Sequence, residues 1–231
     1  SLCKKNFEIK KEKIQKNIFL GYKSLNKSNN TFYKDIISVE SSSNIIIDLD
    51  LNLIKKKYWK PKLNIDQNMK IDDAVNGVKN NLIKSLELRM RSDVPIAFCL
   101  SGGIDSSLLA SHATKTFNKK ISTFSIIDDD PRYDESENIR YIIDDLKCNH
   151  DLIKINNDEN LFFDRLKLLT NYHDGPIATL SYYIHSFLSE NISKKNYKVA
   201  ISGTGADELF TGYYDHFLLH FEALKGTKYL N

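Results

Sequence analysis

The chain has 231 residues, enough for one or two domains with a sizeable core, and its 41% hydrophobic and 27% charged residues are those of an ordinary globular protein. A net charge of +3, with lysines interleaved among acids, leaves no basic footprint for nucleic acid. No stretch approaches the length of a membrane-spanning helix, and no signal peptide is visible.

In chain order, residues 10–20 read as a short helix. Ile36–Val39 and Ile45–Leu49 read as two strands separated by Ser41–Asn44, and the lysine run 55–57 as a solvated strand end or turn. Lys60–Met69, punctuated by Pro61, reads as a linker. Ile71, Ala74, Val75, Val78, Leu82, Ile83 and Leu86 keep a helical period and predict a helix over 71–90. Beyond it strands and helices alternate: strand 94–100, helix 105–117, strand 121–127, helix 135–147, strand 151–155, helices near 159–173 and 178–193, strand 197–201, and a helix from about 205. Such alternation predicts an α/β fold, a parallel sheet covered on both faces, with ligands beyond the carboxyl ends of its strands.

Two glycine motifs fall at such ends. The first, Ser101-Gly102-Gly103-Ile104-Asp105-Ser106-Ser107, follows the apolar run 94–100 and opens a helix. Glycines allow close backbone approach to an oxyanion, serine hydroxyls add donors, and the helix start favours negative charge. The spacing and lysine of a Walker A loop are absent. Asp105 beside a phosphate is repulsive unless a cation intervenes, so the loop implies Mg²⁺ with a polyphosphate. The second motif is Ser202-Gly203-Thr204-Gly205-Ala206-Asp207-Glu208, and its Asp207 supplies a second candidate Mg²⁺ carboxylate. Asp105 also suits a helix N-cap, and Asp207 and Glu208 also suit the first turn of a helix. Cys3, Cys99 and Cys148 have neither disulfide nor zinc spacing and read as small residues of a reducing compartment, so the cytoplasm is the expected location.

These motifs, with Arg89-Met90-Arg91-Ser92-Asp93-Val94-Pro95, Thr123-Phe124-Ser125-Ile126, Asp134-Glu135, His150 and Leu209-Phe210-Thr211-Gly212-Tyr213, resemble the synthetase domain of glutamine-dependent asparagine synthetases, pyrophosphate-loop proteins with an adenine nucleotide alpha-hydrolase-like, Rossmann-like sheet. The resemblance covers roughly residues 15 to 220. It implies that residues 1–60, ending at Tyr58-Trp59, are the remnant of a glutaminase domain and 61–231 a C-terminally truncated synthetase domain. The start at Ser-Leu-Cys fits a fragment of a longer protein.

The resemblance further implies that Ser101, Gly102, Gly103, Ser106 and Ser107 hold the pyrophosphate half of ATP, that Leu100 and Ile126 border the adenosine, and that Ser202 and Gly203 contact the nucleotide or acyl-adenylate. Asp105 and Asp207 would bind Mg²⁺. The partners implied are ATP, aspartate and ammonia from glutamine, and a homodimer is left open. His173-Asp174-Gly175-Pro176 resembles a segment near the acceptor pocket and equally suits a helix-ending turn. Thr204 departs from the pattern, since relatives often carry an acid there, and a threonine cannot act as general base near neutral pH. That departure keeps two other readings: the same chemistry on another carboxylate, or a catalytically silent nucleotide-binding fragment.

Overall fold

In a computed structural model, which describes residues 7–225 except 26, 63, 67, 128, 129, 131–133 and 156–158, the described residues fall into two compact units, one drawn from 1–69 and 158–183, the other from 70–157 and 184–225. The first unit opens with α1 (Lys11–Leu20), which runs into a 3₁₀ turn at Gly21–Ser24. Lys13 is buried and donates from Nζ to the carbonyls of Ser24 and Leu25 at 3.0 and 3.1 Å, capping that turn. The expected strand at Ile36–Val39 does not form. Thr31 Oγ1 donates to the Ile36 carbonyl at 2.8 Å and accepts from the Tyr33 N–H at 3.1 Å, which diverts the backbone into a turn and leaves one isolated bridge between Asn30 and Ile37. The hairpin instead pairs β1 (Ser43–Ile47) with β2 (Leu53–Lys57), Ser43 opposite Lys57. The lysine run is the second half of β2, where Lys55 and Lys57 point to one side and share the Glu40 carboxylate. Hydrogen bonds from both hold that carboxyl down at about 2.

The second unit carries the parallel sheet. Its elements are α2 (Ile71–Arg89), β3 (Ile96–Cys99), α3 (Ile104–Ser111) with a π-helical turn at His112–Thr116, β4 (Ser122–Ile127), α4 (Ser136–Leu146) and β5 (Asn149–Lys154). The next helix, α5 (Glu159–Tyr172), belongs by packing to the first unit. Then follow α6 (Leu180–Lys194), β6 (Val199–Ile201), α7 (Ala206–Phe210) and α8 (Tyr214–Leu224). The strand order is β5-β4-β3-β6, every pair parallel. The chain therefore steps outward from β3 to β5 and returns to the opposite side of β3. The order reverses between β3 and β6, and in open parallel sheets a crevice opens at that reversal, beyond the carboxyl ends of the strands.

Alternation along β3 builds the core on both faces of the sheet. Phe98, with Leu100 just beyond the strand, joins Leu86, Ala110, Ala113, Ile139 and Leu146 from the helices α2 to α4 and the turn after α3. Ala97 joins Phe124, Ile153 and Ile192 on the other face, where the Tyr197 ring meets Phe124 edge-on at 5.5 Å. Cys99 lies on this side, and burial lifts its thiol to about 11, so it is inert. The helix expected from 205 is two helices. Thr211 adopts a left-handed φ of 65° and ends α7, and α8 restarts after Tyr213.

Strand β5 begins at Asn149, two residues before the expected start, because the buried Thr123 reaches across to it. Thr123 Oγ1 donates to the Asn149 carbonyl at 3.1 Å and lies 2.9 Å from His150 Nδ1. Among the described residues the buried His150 Nε2 has no hydrogen-bond partner. Burial then disfavours the imidazolium and holds the His150 pKa below its ordinary 6.5, with Asp151 opposing. The folded state binds this proton less readily than the unfolded chain, so the contribution is full above about pH 6.5 and is lost as pH falls from there toward the folded pKa. Urea midpoints measured from about pH 7.5 to about pH 5.5 should fall less in His150→Gln than in wild type. Parallel profiles would contradict the lowered pKa of His150.

Candidate active site

Both glycine motifs lie at the strand-order reversal, the first after β3 and the second after β6. The first loop is tied to itself. Ser106 is buried at the start of α3, and its Oγ accepts from the Ser101 N–H at 3.1 Å and meets Ser101 Oγ at 3.0 Å. Ser107 Oγ donates to the Gly103 carbonyl at 2.6 Å. The first intrahelical bond of α3 runs from the Ser107 N–H to the Gly103 carbonyl, so the N–H groups of Ile104, Asp105 and Ser106 have no intrahelical acceptor. Gly103 is the N-cap and brings no side chain. Asp105 is therefore inside the first turn and is not the cap. The result is a helix start whose donors are left for an external anion.

Gly102 has φ +76°, and a Cβ there would fall 3.2 Å from the Cβ atoms of both Asn138 and Glu135. Only glycine meets both demands, the left-handed turn and the close approach of the start of α4. Glu135 thus borders the first loop through its Cβ and its carbonyl oxygen. Asp134 accepts from the Ser136 N–H at 2.9 Å, and its hydrogen bonds with Ser136 lower its pKa. Asp128 and Asp129, which follow β4, lie outside the described residues.

The second loop touches the first through Gly203. A Cβ on Gly203 would lie 2.9 Å from Asp105 Cβ and 2.9 Å from the Ser106 nitrogen, so the loop after β6 rests on the first turn of α3. Ser202 Oγ donates to Thr204 Oγ1 at 3.0 Å, and both side chains are exposed. Gly205, with φ +101°, makes the turn into α7. Asp207 sits in the first turn of α7, its carboxylate lying over the Gly212 backbone, where any Cβ would overlap it. Tyr213 donates to Glu208 Oε1 at 2.6 Å, and that bond lowers the Glu208 pKa.

The structure thus brings Ser101, Gly102, Gly103, Asp105, Ser106, Ser107, Ser202, Gly203 and Thr204 to one end of the sheet. Leu100 stands apart in character: its side chain is core, its N–H donates to the Phe124 carbonyl at 2.8 Å, and its carbonyl accepts from Ser125 Oγ at 2.5 Å. Ile126, near the end of β4, is partly buried against the other core cluster. Ser125, 1% exposed, and Asn138 were not singled out from the sequence. The signal for Ser125 is there: Thr123 and Ser125 are two hydroxyls on one face of a buried strand, which demands partners for both.

Neither the Asp105 nor the Asp207 carboxylate makes a hydrogen bond or ion pair among the described residues. The uncommitted Asp105 carboxylate, in the first turn of α3 beside donors for an anion, fits a Mg²⁺ ion that takes its other ligands from phosphate and water, while the Asp207 carboxylate lies over Gly212. Among the described residues no three or more His, Cys, Asp or Glu side chains gather into a metal cage. The His173–Pro176 segment belongs to the first unit. There the Gly175 N–H donates to the Thr170 carbonyl at 3.1 Å and ends α5, and the segment also lines a cleft of about 740 Å³ with Phe32, Tyr33 and Tyr182.

Comparison with known proteins places this geometry. The family model described as asparagine synthase matches residues 77–228, which span both loops and all four parallel strands. A putative glutamine-hydrolysing asparagine synthetase of Methanocaldococcus jannaschii is 33% identical over 216 residues, covering 90% of this chain and 40% of that protein. Asparagine synthetase 1 of Bacillus subtilis is 30% identical over 92% of this chain and 32% of its own length. A Penicillium rubens protein named amidase chyE is 30% identical over 79% of this chain and 30% of its own length. The chain therefore spans less than half the length of the curated relatives it matches. With the family model spanning well over half of the sequence, the chain belongs to the asparagine synthase family.

Proposed function

We propose that this chain is the ATP-using part of a glutamine-dependent amidotransferase, with residues 1–60 the remnant of the glutaminase domain and aspartate the acceptor. The observation that carries this reading is the contact of Gly203 with the first turn of α3, which brings the two loops together at one end of the sheet. In the reaction, an oxygen of the aspartate side-chain carboxylate attacks the α-phosphorus of ATP. The bond from that phosphorus to the bridging oxygen breaks, and pyrophosphate leaves. Ammonia then attacks the acyl carbon, AMP departs, and the nitrogen loses a proton. The free N–H groups of α3, with the Ser101, Ser106 and Ser107 hydroxyls, hold the phosphates that become pyrophosphate. Asp105 and Asp207 would hold Mg²⁺, which would supply charge stabilisation at the leaving oxygens. Ser202 and Gly203 form the opposite wall.

In the free protein the Ser101 and Ser106 hydroxyls bond each other and the Ser107 hydroxyl bonds the Gly103 carbonyl, so phosphates exchange those hydroxyl bonds for their own. Thr204 holds no titratable group, so the proton released by ammonia passes to water, to substrate or to pyrophosphate. A second reading keeps the chemistry and changes the acceptor to another carboxylate. Thr204 favours it, and so do relatives whose names call them amidases, one of them in Gibberella zeae at 32% identity over 156 residues. ATP–pyrophosphate exchange assayed with and without aspartate separates the two.

Asp105→Asn should weaken binding of Mg·ATP by about tenfold or more and that of metal-free ATP by about twofold at most, measured by calorimetry, because the carboxylate acts through the ion. Equal losses would reject the metal role. Thr204→Glu, made in the full-length protein with ammonia supplied directly, should preserve or raise turnover of aspartate if aspartate is the acceptor. A fall of about tenfold, with ATP binding intact, would favour a different, bulkier acceptor that a longer charged side chain repels.

A further inference from the structure

We propose that Ser125 is a positioning residue for the first glycine loop, acting through the Leu100–Ser101 peptide, an inference that rests on that loop's holding the nucleotide phosphates. The last ladder pair between β3 and β4 is Cys99 with Phe124. One residue further, the Leu100 N–H still donates to the Phe124 carbonyl at 2.8 Å, while the Leu100 carbonyl accepts from the side chain of Ser125 at 2.5 Å. On the other end of the same peptide, the Ser101 N–H donates to Ser106 Oγ at 3.1 Å. Both polar groups of this one peptide are thus held by buried hydroxyls on different elements, Ser125 on β4 at 1% exposure and Ser106 on α3 at 6%.

A peptide plane anchored at both ends cannot rotate about the chain direction. It sets the direction in which Ser101, Gly102 and Gly103 leave the strand, and so the aim of the N–H groups that follow. Gly102 and Gly103 have little stiffness of their own, so their orientation is inherited from the peptide before them. Without the Ser125 hydroxyl the Leu100 carbonyl loses its buried donor, and the peptide turns to seek another. Ser106 alone cannot hold it, because its Oγ also meets Ser101 Oγ and donates to the Gly103 carbonyl at 3.2 Å, both inside the loop that would move. Misaimed donors weaken ligand binding steeply, so the consequence falls on the nucleotide.

The test compares Ser125→Ala, Ser125→Thr and a control, Ile153→Val, in the full-length protein. Ile153 is a buried residue of the other core cluster, and its truncation lowers stability without touching the loop. Three quantities are read: the dissociation constant of Mg·ATP, the hydrogen exchange of the Ser101 amide without ligand, and the melting temperature. Ser125→Ala should weaken Mg·ATP about tenfold and speed Ser101 exchange about tenfold. Ser125→Thr, which keeps the hydroxyl, should restore both. Ile153→Val should lower the melting temperature while leaving both near wild type. Binding by Ser125→Ala within about twofold of wild type, or an equal loss in Ile153→Val, would overturn the proposal. Should Ser125→Ala fail to fold, the wild-type Ser101 amide decides: protection like that of the β3 ladder supports the clamp, and exchange like that of an exposed loop contradicts it. If wild type binds no ATP at all, the functional reading fails, and the Ser101 exchange still judges the clamp.

Discussion

The site depends on how closely the loop after β6 can approach α3. Gly203 has no side chain, and the space one would need is taken by Asp105 Cβ and the Ser106 nitrogen. The sheet makes this approach available by placing β3 and β6 side by side, in register from Ile96 opposite Val199 to Phe98 opposite Ile201. Two loops far apart in sequence then start from neighbouring strand ends and lean on each other. That meeting sets the donors at the α3 start and the Asp105 carboxylate next to the loop that carries the exposed Ser202–Thr204 pair.

The hydroxyls of the first loop, in contrast to its free N–H groups, are tied within the loop. A glycine-rich loop costs much entropy to order, and here the cost is met by hydroxyl bonds within the loop and by the start of α4 closing over Gly102. Thr123 and Ser125 divide the work on the central strand β4. One fastens β5 through Asn149, and the other fastens the exit of β3 through Leu100. Both hydroxyls are buried in a sheet whose core is otherwise apolar, which fits groups retained for the geometry they impose.

Much of this was legible in the sequence, and for physical reasons. An apolar run, two glycines and a helical pattern can hardly be anything other than strand, turn and helix, and the alternation of strands and helices fixed a parallel sheet. The errors lie where local chemistry overrode pattern. Ile36–Val39 looks like a strand, but the Thr31 hydroxyl claims the Ile36 carbonyl. Lys55–Lys57, read as a solvated strand end or turn, is the exposed end of β2, where Lys55 and Lys57 share the single Glu40 carboxylate. Asn149 and His150 are too polar to read as strand residues, and they become so because Thr123 supplies partners from below. The helix expected from 205 breaks where Thr211 turns left-handed, a conformation that no periodicity announces. Ser125 stands in a recognisable motif, but its own role is a single bond to a carbonyl 25 residues away, which only the folded sheet brings near.

The central claim is that both glycine loops serve one nucleotide. Hydrogen exchange of the wild-type protein, with and without Mg·ATP, addresses it without any substitution. Backbone amides of Gly102 to Ser106 and of Ser202 to Ala206 should gain protection together, at the same ATP concentration, while the β1–β2 hairpin of the first unit stays unchanged. Protection confined to the first loop, or appearing on the two loops at clearly different concentrations, would contradict a shared site.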